Sequence, residues 1–228
     1  MMPEILTSGD FLNAPGILLD TRSPGEYGQG HIPGAIAFSL FSDEERSRVG
    51  TCYKQEGQEQ AIELGLEIVA PKMVNFVREA KQIAPDRCVR LHCWRGGMRS
   101  GSMAWLLETA GFKVTVLQGG YKAFRGWVRS TLATPRKILT LGGMTGTGKT
   151  ILLHELASRG EQVLDLEALA NHRGSSYGAL GLPAQPSDEQ FQNLIAMQWA
   201  KFDCDRIVWI EAESRRVGLC RVPDEIFM

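Results

Sequence analysis

The run Gly143-Met144-Thr145-Gly146-Thr147-Gly148-Lys149-Thr150 narrows the fold of this chain more than any other stretch. It follows an apolar run at residues 138–141 and precedes residues 149–158, which read as a helix. Glycines at 143, 146 and 148 let the backbone turn so that successive N–H groups face inward and wrap an anion. Thr147 lies inside that wrap, Lys149 adds a point charge, and the Thr150 hydroxyl suits a Mg2+ that bridges phosphates. Gly-x4-Gly-Lys-Thr between a strand and a helix is the pattern of a phosphate-binding loop in a parallel α/β sheet. The pattern identifies a phosphate, not the molecule that carries it.

The rest of the chain alternates in the same way. Residues 16–20 (GILLD), 35–40, 88–92 and 114–117 read as short strands. Residues 21–34 form a Gly- and Pro-rich loop with a helical turn near Glu26. Residues 58–84 read as two helices split at Pro71, and residues 99–110 and 120–132 as one helix each. Residues 134–137 (TPRK) form a linker, so the expected domains are 1–134 and 135–228. Beyond the phosphate loop, residues 162–166 and 206–210 are expected strands and 188–201 a helix. The fold class is therefore α/β, with mainly parallel sheets. Only three strands follow the linker, fewer than the usual four to six or so. Residues 223–225 read as the first turn of a helix. The second domain is thus expected to be incomplete at its C-terminal end.

Chemistry concentrates at His92-Cys93-Trp94-Arg95-Gly96-Gly97-Met98-Arg99-Ser100, between a strand and a helix. A cysteine there stands at the C-terminal edge of a parallel sheet, beside a helix N-terminus that favours an anion. Gly96 and Gly97 allow an inward curl of N–H groups, and Arg95 and Arg99 add positive charge. All four features lower a thiol pKa and make Cys93 the expected nucleophile. Cys52, read as lying on a loop, is a candidate resolving thiol, whereas Cys88, Cys204 and Cys220 read as structural. In the second domain Asp165 and Glu167 close one expected strand, and Glu211 and Glu213 close another. Either pair is placed to position a metal or a water, or to be solvated loop acids.

Two segments flanking Cys93 resemble the signatures of the rhodanese family. They are Asp20-Thr21-Arg22-x3-Glu26-Tyr27-x2-Gly30-His31-Ile32-Pro33-Gly34-Ala35 and Leu117-Gln118-Gly119-Gly120-Tyr121-x-Ala123-Phe124. That likeness spans residues 4–132 and implies a cysteine that carries a chalcogen. The His92-Cys93-x5-Arg99 spacing departs from it. It is the spacing of rhodanese-fold phosphatases, and ordinary sulfurtransferase loops are one residue shorter. A phosphatase and a transferase using a phosphorylated chalcogen both stay open on that ground.

A rhodanese signature and a phosphate loop on one chain resemble the tRNA 2-selenouridine synthase family. Further matching pieces are Val49-Gly50-Thr51-Cys52-Tyr53-Lys54-Gln55, the run from Asp165 to Ser175, and Glu211-Ala212-Glu213-Ser214-Arg215. The resemblance implies a cytoplasmic enzyme acting on tRNA with 2-thiouridine at the wobble position. Geranyl diphosphate, held by the phosphate loop, would alkylate the thiocarbonyl sulfur. Selenium from selenophosphate, delivered at Cys93, would then replace the S-geranyl group. Mg2+ is an expected companion of the diphosphate, and no tightly bound cofactor is expected. This chain has Ala212 where the family usually has an acid, and the family continues well past residue 228. Both departures keep open a third reading, a tRNA-binding module without turnover.

Composition excludes other classes. Apolar residues make up 43% of the 228, enough for packed cores, and no run suits a membrane span. The five cysteines show neither a disulfide framework nor zinc spacing, which fits a reducing compartment. The net charge is −1, yet the stretch 109–149 holds seven cations and no acid, a local field suited to an anionic partner.

Overall fold

The computed structural model describes residues 3–144, 146–175, 177–212 and 214–227. The chain forms two compact units, Met1–Arg125 and Gly126–Met228. The border falls inside a helix that the sequence places just before its linker.

The first unit is built on a five-stranded sheet of order β1-β5-β4-β2-β3, parallel throughout. Its strands are β1 (Glu4–Leu6), β2 (Ile17–Asp20), β3 (Ile36–Ala37), β4 (Cys88–His92) and β5 (Lys113–Leu117). The helices are α1 (Ser8–Asn13), α2 (Pro24–Gln29), α3 (Asp43–Gln55), α4 (Gln58–Val69), α5 (Met73–Ile83), α6 (Met98–Thr109) and α7 (Gly120–Leu132), which runs across the border. Apolar strand residues Leu19, Val89, Leu91, Val114 and Val116 are buried with Phe76, Met103 and Leu107 in one core cluster. A parallel sheet needs both faces covered, which explains why its strands read as nearly unbroken apolar runs.

Pro71 separates α4 from α5 as expected, and a 3-10 turn (Ala70–Lys72) absorbs the break. Two expectations are corrected. Residues 35–40 hold only the two-residue strand β3. Residues 50–54 are not a loop: they belong to α3, whose N-terminus is closed by Ser42 accepting from the Glu45 N–H. Cys52 therefore sits buried on a helix, its thiol pushed up by burial and by the Glu56 carboxylate.

Behind the C-terminal ends of β2 and β4 lies a buried polar cluster. Arg22 pairs with Asp20 at 2.6 Å, donates to the Gly30 carbonyl and stacks 3.7 Å from the Tyr121 ring centre. Both charges are out of water, so losing either partner would strand the other at a cost of about 3–5 kcal/mol. His92 lies 3.6 Å from Asp20 and is wholly buried.

The second unit carries a three-stranded parallel sheet of order β6-β8-β7. Its strands are β6 (Lys137–Leu141), β7 (Gln162–Leu164) and β8 (Ile207–Glu211), with helices α8 (Lys149–Ser158), α9 (Leu166–Leu169) and α10 (Asp188–Trp199). Leu153, Leu164, Phe191, Ile195, Val208 and Ile210 are buried in it. A short antiparallel hairpin, β9 (Arg216–Val217) with β10 (Cys220–Arg221), adds two strands beyond the three expected. The Gln185 side chain anchors it, donating to Val217 O and accepting from Leu219 N. Residues 223–225 form a turn, not a helix: Ile226 and Phe227 both donate to Pro223 O.

Burial holds the His92 imidazole down at about 4, against an opposing pull from Asp20. An unfolded chain takes that proton near pH 6.5, and the folded one does not until about 4. Stability is therefore lost as pH falls through that window, by on the order of 3 kcal/mol. Urea midpoints recorded between those pH values should show this slope, and His92→Asn should flatten it.

Candidate active site

The two candidate centres are strand-to-helix turns, one in each unit. In the first, β4 ends at His92, Cys93 follows, and α6 begins at Met98. Cys93 is only 3% exposed and forms the floor of the turn, while Trp94, Arg95, Gly96, Gly97 and Met98 form its exposed rim. Burial works against ionisation of the thiol. Hydrogen bonds from the Ser100 hydroxyl and from the N–H groups of Ser100, Arg95 and Gly97 outweigh it and hold the thiol below its ordinary value. The sulfur stands 3.2 Å from Ser100 Oγ.

The source of that stabilisation differs from expectation. Arg99 turns to Glu26, with its two terminal nitrogens 2.6 and 3.2 Å from the carboxylate oxygens. Burial raises the Glu26 carboxyl, but the Arg99 pair and the Ser23 N–H hold it below the usual carboxylate range. Arg99 thus braces α6 against α2, and Arg95 contributes its backbone N–H. Ser100 carries the part assigned to the arginines. Its signal in the sequence was its place in the first turn of the helix, just after Arg99.

Glycine backbone supports the turn from behind. Gly96 (φ +67°) packs so close that an added Cβ would lie 2.9 Å from Leu117 O and 3.1 Å from Gly119 N. Gly120 (φ +60°) has no room for a Cβ against the Cys93 carbonyl and the Gly96 N–H. The first N–H groups of α7 then bind the turn, Tyr121 N to Cys93 O at 2.8 Å and Lys122 N to Trp94 O at 2.9 Å.

In the second unit, β6 leads into residues 142–148 and α8 begins at Lys149, with Gly148 in the left-handed region as its cap. Lys149 Nζ donates to Gly143 O at 2.9 Å and to Met144 O at 3.3 Å, and Thr147 Oγ1 also donates to Met144 O. A cavity of about 530 Å³ opens over the loop, lined by Gly146, Gly148, Lys149, Thr150, Glu167 and Arg173 among others. Arg173 was not singled out in the sequence, although it lies in the run shared with the resembling family.

The acids divide. Glu167 belongs to α9, not to a strand end, and its carboxylate is 3.4 Å from Thr150 Oγ1. Glu211 closes β8 as expected and is buried, accepting the Glu167 N–H at 2.9 Å. Asp165 is not a strand residue either: it caps α9 by accepting from Ala168 N–H, and its second oxygen meets His154 at 3.0 Å. Glu213 lies outside the described residues. Among the described residues no three His, Cys, Asp or Glu side chains gather to hold a metal on their own. A hydroxyl beside one carboxylate nevertheless fits Mg2+, which keeps several waters and leans on substrate phosphates.

Comparison with known proteins finds a family match for each part of the chain. Residues 9–126 match the Rhodanese-like domain, and the chain belongs to that family. Residues 136–228 match the tRNA 2-selenouridine synthase AAA domain, which makes the second unit a phosphate-loop α/β domain. The relatives are tRNA 2-selenouridine synthases: that of Nitrosomonas europaea is 39% identical over 92% of this chain, and that of Bordetella bronchiseptica 44% over 90%. The alignments cover 56% and 57% of those proteins, so the chain spans little more than half the length of the relatives it matches. A solved structure, the N-terminal domain of a putative ATP/GTP binding protein from Clostridium difficile 630, is 38% identical with a TM-score of 0.53. It covers 55% of this chain and 98% of its own.

Replacing Ser100 with alanine removes one donor to the sulfur without touching the loop glycines. Alkylation of Cys93 by iodoacetamide at about pH 7 should slow, and the midpoint of its pH profile should move upward. An unchanged profile would show that Ser100 does not hold the thiolate.

Proposed function

We propose that this chain carries the chemical centres of a tRNA 2-selenouridine synthase, which replaces the sulfur of wobble 2-thiouridine in tRNA by selenium. The observation that carries the proposal is the Cys93 sulfur, set in N–H groups at a sheet edge, on the same chain as a complete phosphate loop. Support comes from the named relatives, which align with 92% and 90% of this chain, and from its matches to the Rhodanese-like domain and the tRNA 2-selenouridine synthase AAA domain.

In this reading geranyl diphosphate binds the phosphate loop, its diphosphate against Lys149 and the N–H groups of Gly146, Thr147 and Gly148. Mg2+, when bound, neutralises charge on the diphosphate, with Thr150 and Glu167 as its protein contacts. The thiocarbonyl sulfur attacks the first carbon of the geranyl group, the C–O bond breaks, and diphosphate leaves with the electron pair. The N3 proton passes to solvent. Alkylation turns a poor leaving group into a good one.

Selenium then enters from selenophosphate. The Cys93 thiolate attacks phosphorus, the S–P bond forms as the P–Se bond breaks, and selenide departs. Selenide adds to C2 of the modified uracil, and the C2–S bond breaks to release geranylthiolate. Water later cleaves the S–P bond and returns the thiol with inorganic phosphate. The N–H cradle around Cys93 suits a phosphoryl group as well as it suits the thiolate, and no redox partner is required.

Incubating the protein with 2-thiouridine tRNA, geranyl diphosphate and selenophosphate, then weighing the nucleosides, tests the whole reading. S-geranyl and seleno products are expected, and their absence in a form extended to the full length of the relatives would defeat it. Cys93→Ser should stop selenium entry yet spare geranylation. Lys149→Ala should cut geranylation by roughly a hundredfold or more, as loss of a charge on a leaving oxyanion does. If each variant lost both steps equally, the division of labour would be wrong.

A further inference from the structure

A cavity in the first unit borders the Cys93 turn, sharing Met98 and Arg99 with it but not Cys93 itself. It is a slot of about 170 Å³ walled by α3, α4 and the first turn of α6, with Val49, Tyr53, Ala61, Ile62, Leu66 and Met98 among its lining residues. Tyr53, Leu66 and Met98 are each more than half exposed, a contiguous apolar rim left in water. A wider cavity of about 420 Å³ adjoins it, lined by Arg46, Lys54 and Arg99, and the two share Phe41, Val49, Tyr53 and Arg99. Among the described residues, no acidic side chain lines either one. Glu26 offsets part of the charge, through its pair with Arg99 and at 3.9 Å from Arg46.

An apolar slot with a cationic mouth fits a hydrocarbon chain joined to an anionic body. A closed apolar cavity of ~150 Å³ holds a six-carbon ring, so this slot of about 170 Å³ encloses the greater part of a branched ten-carbon chain, the remainder lying along the exposed rim of Tyr53, Leu66 and Met98. It is too small for the face of a partner helix. Gly65 of α4 keeps one wall bare: a Cβ there would meet only Phe41, at 3.7 Å. Met98 and Arg99, which line the slot, directly precede Ser100, which holds the Cys93 sulfur.

We propose that this slot holds the geranyl group of the S-geranyl-2-thiouridine intermediate, with the phosphodiester backbone of the RNA at the Arg46–Lys54 mouth. The inference rests on the proposed reaction, which generates such an RNA, and deepens it. The phosphate-loop unit binds the geranyl donor, while the Cys93 unit recognises the geranylated product of the first step. Selenium exchange is thereby confined to RNA that already bears the leaving group.

The test is binding of the intact chain to fluorescent anticodon stem-loop RNAs that differ only at the wobble sulfur: S-geranyl, S-methyl or unmodified. Burying the extra carbons should favour the S-geranyl RNA over the S-methyl RNA by roughly ten- to a hundredfold. Gly65→Leu fills the slot and should abolish that preference while leaving affinity for the unmodified RNA and the Cys93 alkylation rate unchanged. Leu66→Glu, at an exposed rim position, checks the same point without disturbing the interior and should weaken the preference too. Lys149→Ala should keep it. No preference in the parent chain would overturn the proposal, as would a preference that survives both slot variants or disappears with Lys149. A silent nucleoside assay with the preference intact would remove the reaction and leave the slot, and the converse would remove the slot and leave the reaction.

Discussion

The close approach of Gly120 to the Cys93 turn sets the geometry of the first centre. Backbone meets backbone there, with no side chain between, because Gly120 lacks room for a Cβ and Gly96 nearly so. Contact at that range lets the N–H groups of Tyr121 and Lys122, in the first turn of α7, reach the carbonyls of Cys93 and Trp94. Those carbonyls are thereby fixed outward, and the N–H groups of the same turn are left facing the sulfur. The buried Asp20–Arg22 pair supports the arrangement from the other side, since Arg22 lies against the ring of Tyr121, the residue next to Gly120. The reactive atom itself makes few contacts. Its state is decided by which way a handful of peptide groups point.

Much of this architecture was legible in the sequence. β4, α7 and α8 fall where the apolar runs and glycines put them, and Pro71 splits its helices as proline chemistry demands. The losses have physical causes. α3 was missed because its residues 43–55 are mostly polar and carry little apolar periodicity; its capping Ser42 and Glu45 were the available signal. The hairpin at 216–221 is too short for an alternating pattern, and a distant glutamine holds it. Asp165 looked like the end of a strand because β7 is followed at once by a helix, and capping residues and strand-end residues are the same types.

The functional residues divide along the same line. Cys93 and the loop 143–150 were readable because function there depends on local sequence, a turn with its own glycines. Ser100, Glu26 and Arg173 were not, because their parts depend on where folding sends a side chain. Arg99 shows the hazard most clearly: beside a cysteine it read as a charge for the thiol, yet Glu26, distant in sequence, captures it. Electrostatics inferred from neighbours along the chain counts charges without knowing which are already paired.

Lys149 offers a different lesson. Its ammonium lies folded onto the carbonyls of Gly143 and Met144. An arriving polyphosphate therefore meets a cation with two of its three N–H groups already in use, and binding is in large part an exchange of acceptors, neutral oxygens given up for charged ones. Such an exchange favours ligands with enough negative charge to win the competition. A loop wired in this way would discriminate against singly charged or neutral intruders without any side chain dedicated to rejecting them.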